Sequence, residues 1–193
     1  LSKNKLTEVK AGEIISLKNG IIVKSNMKQS REAHCLFEYI YFLKKESIFE
    51  NIHATNYRYH IGEKMGMLDI DFCDRQSVKP IVVGVPNTGN DYALSYANTC
   101  ELEYKNYITK NKNIGRTFIL KNNKERTMHA ERKYIFDERM KGTDIILVDD
   151  SLVRGITMLI LIKHLLEFGV GEIHIRIMSP PVISPCLYGI DIP

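Results

Sequence analysis

IILVDDSLVRGITMLILIKHLLEFG, residues 145–169, decides the fold. Its four apolar residues Ile145 to Val148 read as a short buried strand, and Thr157 to Phe168 as a helix closed by Gly169 at its C-terminal cap. The strand delivers Asp149 and Asp150 to its carboxyl end, the edge at which ligands bind in open α/β sheets. Between strand and helix, residues 151–157 must turn tightly. Gly155 lets the backbone turn and approach a ligand, Ser151 and Thr157 bring hydroxyls, and the N–H groups ahead of the helix form a cradle for an anion. The adjacent carboxylates suit vicinal hydroxyls and Mg²⁺, a hard cation that takes oxygen ligands and shares them with substrate phosphates. One ligand carries all three groups: a ribose phosphate bearing a pyrophosphate. A bare Asp-Asp pair reads equally well as a solvated turn; the apolar strand before it and the Gly-x-Thr helix start after it favour a site.

Working outward, Pro80 to Val85 reads as another buried strand, 91–99 as a helix and Ile173 to Ile177 as a third strand. Strand, helix, strand order predicts an α/β protein with a Rossmann-like, mostly parallel sheet covered by helices on both faces. The turn Pro86-Asn87-Thr88-Gly89-Asn90-Asp91 lies between the first of these strands and its helix. Thr88 and nearby N–H groups could hold pyrophosphate or complete a magnesium shell. On its own such a turn is more often only a turn, with Asn90 or Asp91 as the helix cap. Nearer the start, 13–18 and 20–24 flank a Lys-Asn-Gly turn and read as a β-hairpin. A polar stretch, 25–31, then separates two expected domains, 1–26 and 27–193, and Cys35 to Leu43 is densely apolar and aromatic.

The 193 residues are 44% hydrophobic and 26% charged, the composition of a globular protein with one substantial core. A formal charge of +4 is dispersed rather than gathered in a stripe, so a small phosphorylated ligand explains it as well as nucleic acid does. No apolar run approaches the roughly 20 residues of a membrane span. The four cysteines lack the close spacing of a disulfide or zinc framework, and reduced thiols in a cytoplasmic protein are expected. Because the chain opens on Leu1, a longer protein is expected around it.

The run VDDSLVRGIT resembles the phosphoribosyl pyrophosphate (PRPP) signature of the type I phosphoribosyltransferases, in the form found in the glutamine amidophosphoribosyltransferases, with Ile156 where a small polar residue is usual. The resemblance implies an enzyme that moves ammonia from glutamine to PRPP at the start of purine synthesis. It assigns PRPP to Asp149, Asp150, Ser151, Val153, Arg154, Gly155, Thr157 and Thr88, and Mg²⁺ to Thr88, Asp149 and Asp150. KNKNIGRTFI, residues 110–119, is similar to the family's loop over bound PRPP, with Lys112 and Asn113 in place of Arg and Tyr; this implies catalytic roles for Lys110 and Arg116. Lys133 ends the same basic stretch, which also reads as a solvated face. CLFEYIYF at Cys35 and SPPVISPCLYGIDIP at Ser179 resemble the family too. In its cluster-bearing members the positions of Cys35 and Cys186 ligate a [4Fe–4S] centre whose other two ligands would lie outside this chain, whereas both also read as inert core thiols. The resemblance further implies that the N-terminal hairpin is a remnant of the Ntn glutaminase domain, that the protein is a homo-oligomer without nucleic-acid or membrane partners, and that purine nucleotides inhibit it. A nucleobase salvage phosphoribosyltransferase and a non-catalytic PRPP-binding regulator are the alternatives.

Overall fold

The computed structural model describes residues 9, 12–19, 21–26, 33–111, 133–153 and 155–187. The chain divides into two compact units, Leu1–Cys35 and Leu36–Pro193, so the division falls nine residues beyond the end of the expected first domain at 26. The first unit holds an antiparallel hairpin of β1 (Glu13–Lys18) and β2 (Ile21–Asn26). Pairing of Lys18 with Ile21 leaves a two-residue connection, and Asn19 takes the positive φ of 50° that such a turn demands. The second strand starts and ends later than the sequence predicts.

The second unit opens with a π-helical turn, Glu38–Phe42, then the short antiparallel pair β3 (Ile48–Phe49) and β4 (Ile52–His53) and the helix α1 (Ala54–Arg75). There follow β5 (Ile81–Gly84), α2 (Gly89–Thr99), β6 (Ile108–Lys110), β7 (Tyr134–Phe136), β8 (Ile145–Asp149), α3 (Ile156–Phe168) and β9 (Ile173–Ile177). Among the described residues, β5, β8 and β9 form a parallel sheet with β8 in the centre. The strands alternate as a doubly covered sheet requires. Val82, Ile146 and Val148 join Tyr92, Tyr96 and Cys73 under α1 and α2, while Val83, Ile145 and Leu147 join Met158, Leu161 and Leu165 under α3. Gly169 closes α3 at φ 97°, as the sequence predicts. No described helix is long and apolar enough to cross a membrane.

Two elements escape the sequence reading. The 22-residue helix α1 buries Ala54, Arg58, Gly62, Gly66 and Cys73, mostly small residues with one charge among them rather than an apolar stripe, and lays both glycines against α2. A Cβ on Gly62 would meet the Tyr92 carbonyl oxygen at 2.3 Å, so the two helices approach backbone to backbone and glycine, a helix-breaking signal in sequence, here permits the packing. The antiparallel pair β6–β7, with Lys110 opposite Tyr134, forms the two ends of the basic stretch.

Candidate active site

Parallel pairing in register brings the carboxyl ends of β5 and β8 side by side, Gly84 opposite Val148. The turns that leave them therefore face the same space, a cavity of about 600 Å³. Its floor is Asp149, Asp150 and the β8–α3 turn through Ser151, Val153, Gly155 and Thr157. Val85, Pro86, Asn87 and Thr88 border it from β5, and Lys110, Lys133 and Tyr134 from the β6–β7 pair. The aromatic side chains Phe37, Tyr41 and Phe42 form a further wall.

The two carboxylates are held apart in role by their partners. The Asp150 N–H donates to Asp149 Oδ1 at 2.9 Å, and Ser151 Oγ donates to Asp150 Oδ1 at 2.5 Å. Burial raises the Asp149 carboxyl to about 7, with the neighbouring Asp150 charge adding to the rise and Lys133 and Lys110 opposing it. Asp150 is also raised by burial, against the hydroxyls of Ser151 and Thr88 and the charges of Arg58 and Lys110. Lys133 is pushed below the ordinary lysine range, first by burial and then by Lys110, and its ammonium lies 5.1 Å from the Tyr134 ring centroid. Two neighbouring acids, both with raised pKa, facing two lysines make an electrostatic balance that a ligand carrying both phosphate and a cation would complete.

The two turns present their hydroxyls differently from what helix capping alone would give. Neither Asn90 nor Asp91 caps α2, which corrects the alternative reading of this turn: the helix begins at Gly89 and the cap position is Thr88, whose side chain makes no capping bond. That hydroxyl instead favours the ionised form of the Asp150 carboxyl. At α3 the cap position is Gly155, with φ 73° and no side chain to occupy the first N–H groups, which leaves the helix N-terminus to an anion.

The cavity thus joins Thr88, Lys110, Asp149, Asp150, Ser151, Val153, Gly155 and Thr157 among the sequence-predicted residues, together with Lys133. Arg116 and Arg154, and the substitutions Lys112 and Asn113, lie outside the described residues. Oxygen donors from Thr88, Asp149 and Asp150 fit Mg²⁺, which commonly takes one or two carboxylates and completes its shell with substrate oxygens and water. The thiols do not fit a four-iron cluster by themselves. Cys35 is exposed in the first unit, Cys186 is half-buried in the second, and Cys73 and Cys100 are buried, so no set of three or more metal-binding side chains gathers among the described residues. The sequence reading missed Arg58, Tyr134 and the roles of Phe37, Tyr41 and Phe42; only the aromatic density of 35–43 signalled the last three.

Compared with known proteins, the chain is 37% identical to the amidophosphoribosyltransferase of Pyrococcus horikoshii over 97% of its own length and 40% of that protein's. With the human amidophosphoribosyltransferase it shares 37% identity over 96% of its length and 36% of the relative's. The chain is a homologue of the amidophosphoribosyltransferases. It spans about two fifths of the length of these curated amidophosphoribosyltransferase relatives. Glutamine PRPP amidotransferase from B. subtilis, solved in complex with ADP and GMP, superposes with a TM-score of 0.73 at 30% identity, over 97% of this chain and 40% of that one. A structure described as the allosteric regulatory enzyme of purine biosynthesis gives 0.72 at 31% identity, over 97% and 39%. The expected α/β phosphoribosyltransferase fold is therefore the observed one. No protein-family model matches the chain.

Proposed function

We propose that this chain is the PRPP-binding, phosphoribosyl-transferring part of an amidophosphoribosyltransferase that makes 5-phosphoribosylamine, glutamate and pyrophosphate from PRPP and glutamine. The observation that carries the reading is the meeting of Asp149, Asp150 and the uncapped α3 N-terminus in one cavity with Thr88, Lys110 and Lys133. The turn 151–157, with Arg154, would hold the 5′-phosphate through backbone N–H groups and the Ser151 and Thr157 hydroxyls. Asp149 and Asp150 would accept hydrogen bonds from the ribose hydroxyls. Lys110, Lys133 and Arg116 would face the pyrophosphate, where two or three cations offset the charge that builds on a leaving group. Together with Thr88 the two aspartates would hold Mg²⁺, which when bound neutralises charge on the pyrophosphate.

In the reaction, the lone pair of ammonia forms the new N–C1 bond as the C1–O bond breaks and its electron pair leaves with pyrophosphate; the surplus proton of the new ammonium passes to water. Free ammonia is already a nucleophile, so the residues act by positioning and by electrostatic stabilisation rather than as a general base. Ammonia would come from glutamine hydrolysed elsewhere in the longer protein. The nucleotides bound to the B. subtilis relative favour purine nucleotides as inhibitors here, since a nucleoside monophosphate shares the ribose 5-phosphate that this site would grip. The test is Mg²⁺-dependent PRPP binding by calorimetry in the full protein. Changing Asp149 and Asp150 together to Asn is expected to weaken it about a hundredfold or more, on the order of 3 kcal/mol. Unchanged affinity overturns the assignment.

A further inference from the structure

Arg58 is a cation buried to 2% exposure with no role in the scheme above. It leaves α1 and points beneath the aromatic wall of the cavity. Its Nε donates to the Tyr39 carbonyl at 3.0 Å and one terminal nitrogen to the Leu43 carbonyl at 2.6 Å. The other terminal nitrogen lies 3.4 Å from Asp91 on α2. From α2 the buried Tyr92 hydroxyl donates to the carbonyl between these two, that of Ile40, at 3.1 Å. Three carbonyls of the segment 39–43 are thus taken from below by two side chains. That segment carries Tyr41 and Phe42, both half-exposed at the cavity, and Phe37 precedes it.

The binding pattern explains the shape of the segment. A π-helical turn of five residues closes with the bond from the Leu43 N–H to the Glu38 carbonyl at 2.9 Å, leaving the carbonyls of Tyr39, Ile40 and Leu43 to partners outside the turn. A guanidinium suits two of them because its planar fork addresses both acceptors at once, which an ammonium does not. Burying that charge is costly unless each N–H is satisfied and a counter-charge is near; Asp91 is that counter-charge, and the Asp150 carboxylate feels the same guanidinium. Arg58 therefore binds the backbone of the segment that carries the aromatic wall on one side and enters the acid pair's electrostatics on the other.

We infer that Arg58, assisted by Tyr92, is a positioning residue that holds the Phe37, Tyr41 and Phe42 wall over the reacting carbon, so that the incoming amine rather than water meets C1 of the bound sugar. The inference rests on the proposed reaction. Water attack would form O–C1 as C1–O to pyrophosphate breaks, releasing ribose 5-phosphate, pyrophosphate and a proton. The wall excludes this competitor and orients the amine, two functions that depend on position to within about an ångström.

The test uses the full protein with ammonia and PRPP and measures two products, phosphoribosylamine and ribose 5-phosphate, against pyrophosphate released. Arg58→Met is expected to lower kcat for amination about tenfold while the KM for PRPP rises by no more than about threefold, because the phosphate turn is untouched and Asp150 loses only one of the charges that favour its ionised form. The share of PRPP lost to hydrolysis is expected to rise severalfold. Arg58→Lys keeps the charge and one bond and is expected to fall between wild type and Arg58→Met, and Tyr92→Phe, which removes one hydroxyl, to show the same change of product ratio at smaller size. If Arg58→Met does not fold, the Lys and Phe variants carry the test. An unchanged product ratio in the variants, or a KM that rises as much as kcat falls, overturns the inference. Wild-type protein that neither binds PRPP nor releases pyrophosphate instead overturns the proposed function, which keeps the two failures distinct.

Discussion

The two strand-to-helix turns that border the cavity come from adjacent parallel strands, yet they are built on opposite plans. After β5 the chain turns within Val85–Thr88 and the helix starts at once; after β8 it wanders from Asp150 to Gly155 before α3 begins. The first turn is packed against backbone. A Cβ on Gly89 would stand 2.6 Å from the Val148 carbonyl oxygen and 3.5 Å from the Asp149 Cα. The second turn is open: at Gly155 the nearest neighbour of such a Cβ would be the Leu152 side chain at 3.9 Å, and the glycine is needed for its φ of 73°. One glycine thus keeps two secondary-structure elements together, whereas the other keeps a space clear. The tight turn supplies a reference surface with one hydroxyl, and the loose turn supplies the charge and the amide cradle.

If that contrast is right, the same small substitution has different consequences in the two turns. Gly89→Ala drives a methyl group into the central strand, and a carbonyl in a parallel ladder has no room to yield. It is expected to cost about 3 kcal/mol of folding stability, read by denaturant unfolding, because overpacking against backbone lies at the upper end of its usual range. A cost near zero would mean that α2 and β8 can separate without loss and would break the comparison.

A second test sharpens the electrostatic half. The folded-state carboxyl of Asp149, at about 7, titrates well above its unfolded value near 4. In that window the folded state binds the proton more tightly, so Asp149 adds stability that is fully present below pH 4 and is lost as the pH rises through 7. Wild-type protein without ligand is expected to lose on the order of 2 kcal/mol over this range beyond what Asp149→Asn loses, measured as paired unfolding free energies across pH 4 to 8. Parallel curves for the two proteins would show that Asp149 is not strained by its surroundings.

The two plans also differ in how far they could be read from residues alone. In 145–169 each local signal points the same way: an apolar strand, acids at its end, a glycine and then a helix pattern, so strand, turn and helix all appear where expected. The β5 turn gives itself away less. Thr88 and Gly89 look like ordinary turn residues because what matters is the close approach of Gly89 to β8 and the influence of the Thr88 hydroxyl on Asp150, both set by a partner some sixty residues away. The helix α1 escaped for a related reason. Its buried stripe is Ala54, Gly62 and Gly66 with a charged Arg58 among them, a pattern that makes sense only once α2 lies against it. Arg58 itself carries no signal, since a lone arginine in sequence reads as solvated. The aromatic segment 37–42 was conspicuous in composition, but its assignment to the cavity needed the α1 and α2 side chains that hold it.

The smallest expected effect returns to the open turn. Gly155→Ala meets no atom closer than an ordinary contact, so the cost comes from the left-handed backbone, about 1 kcal/mol for a residue with a Cβ. That is a third of the expected loss at Gly89. Binding should respond more than folding, because the alanine methyl group would face the space kept for the phosphoryl group and the backbone would relax out of the conformation that aims its N–H groups. The measurement is the ratio of the two effects: unfolding free energy without ligand, and affinity for ribose 5-phosphate by calorimetry. A loss of affinity larger than the loss of stability supports a turn shaped for its ligand. Equal losses would make Gly155 a structural glycine like Gly89 and erase the difference between the two turns.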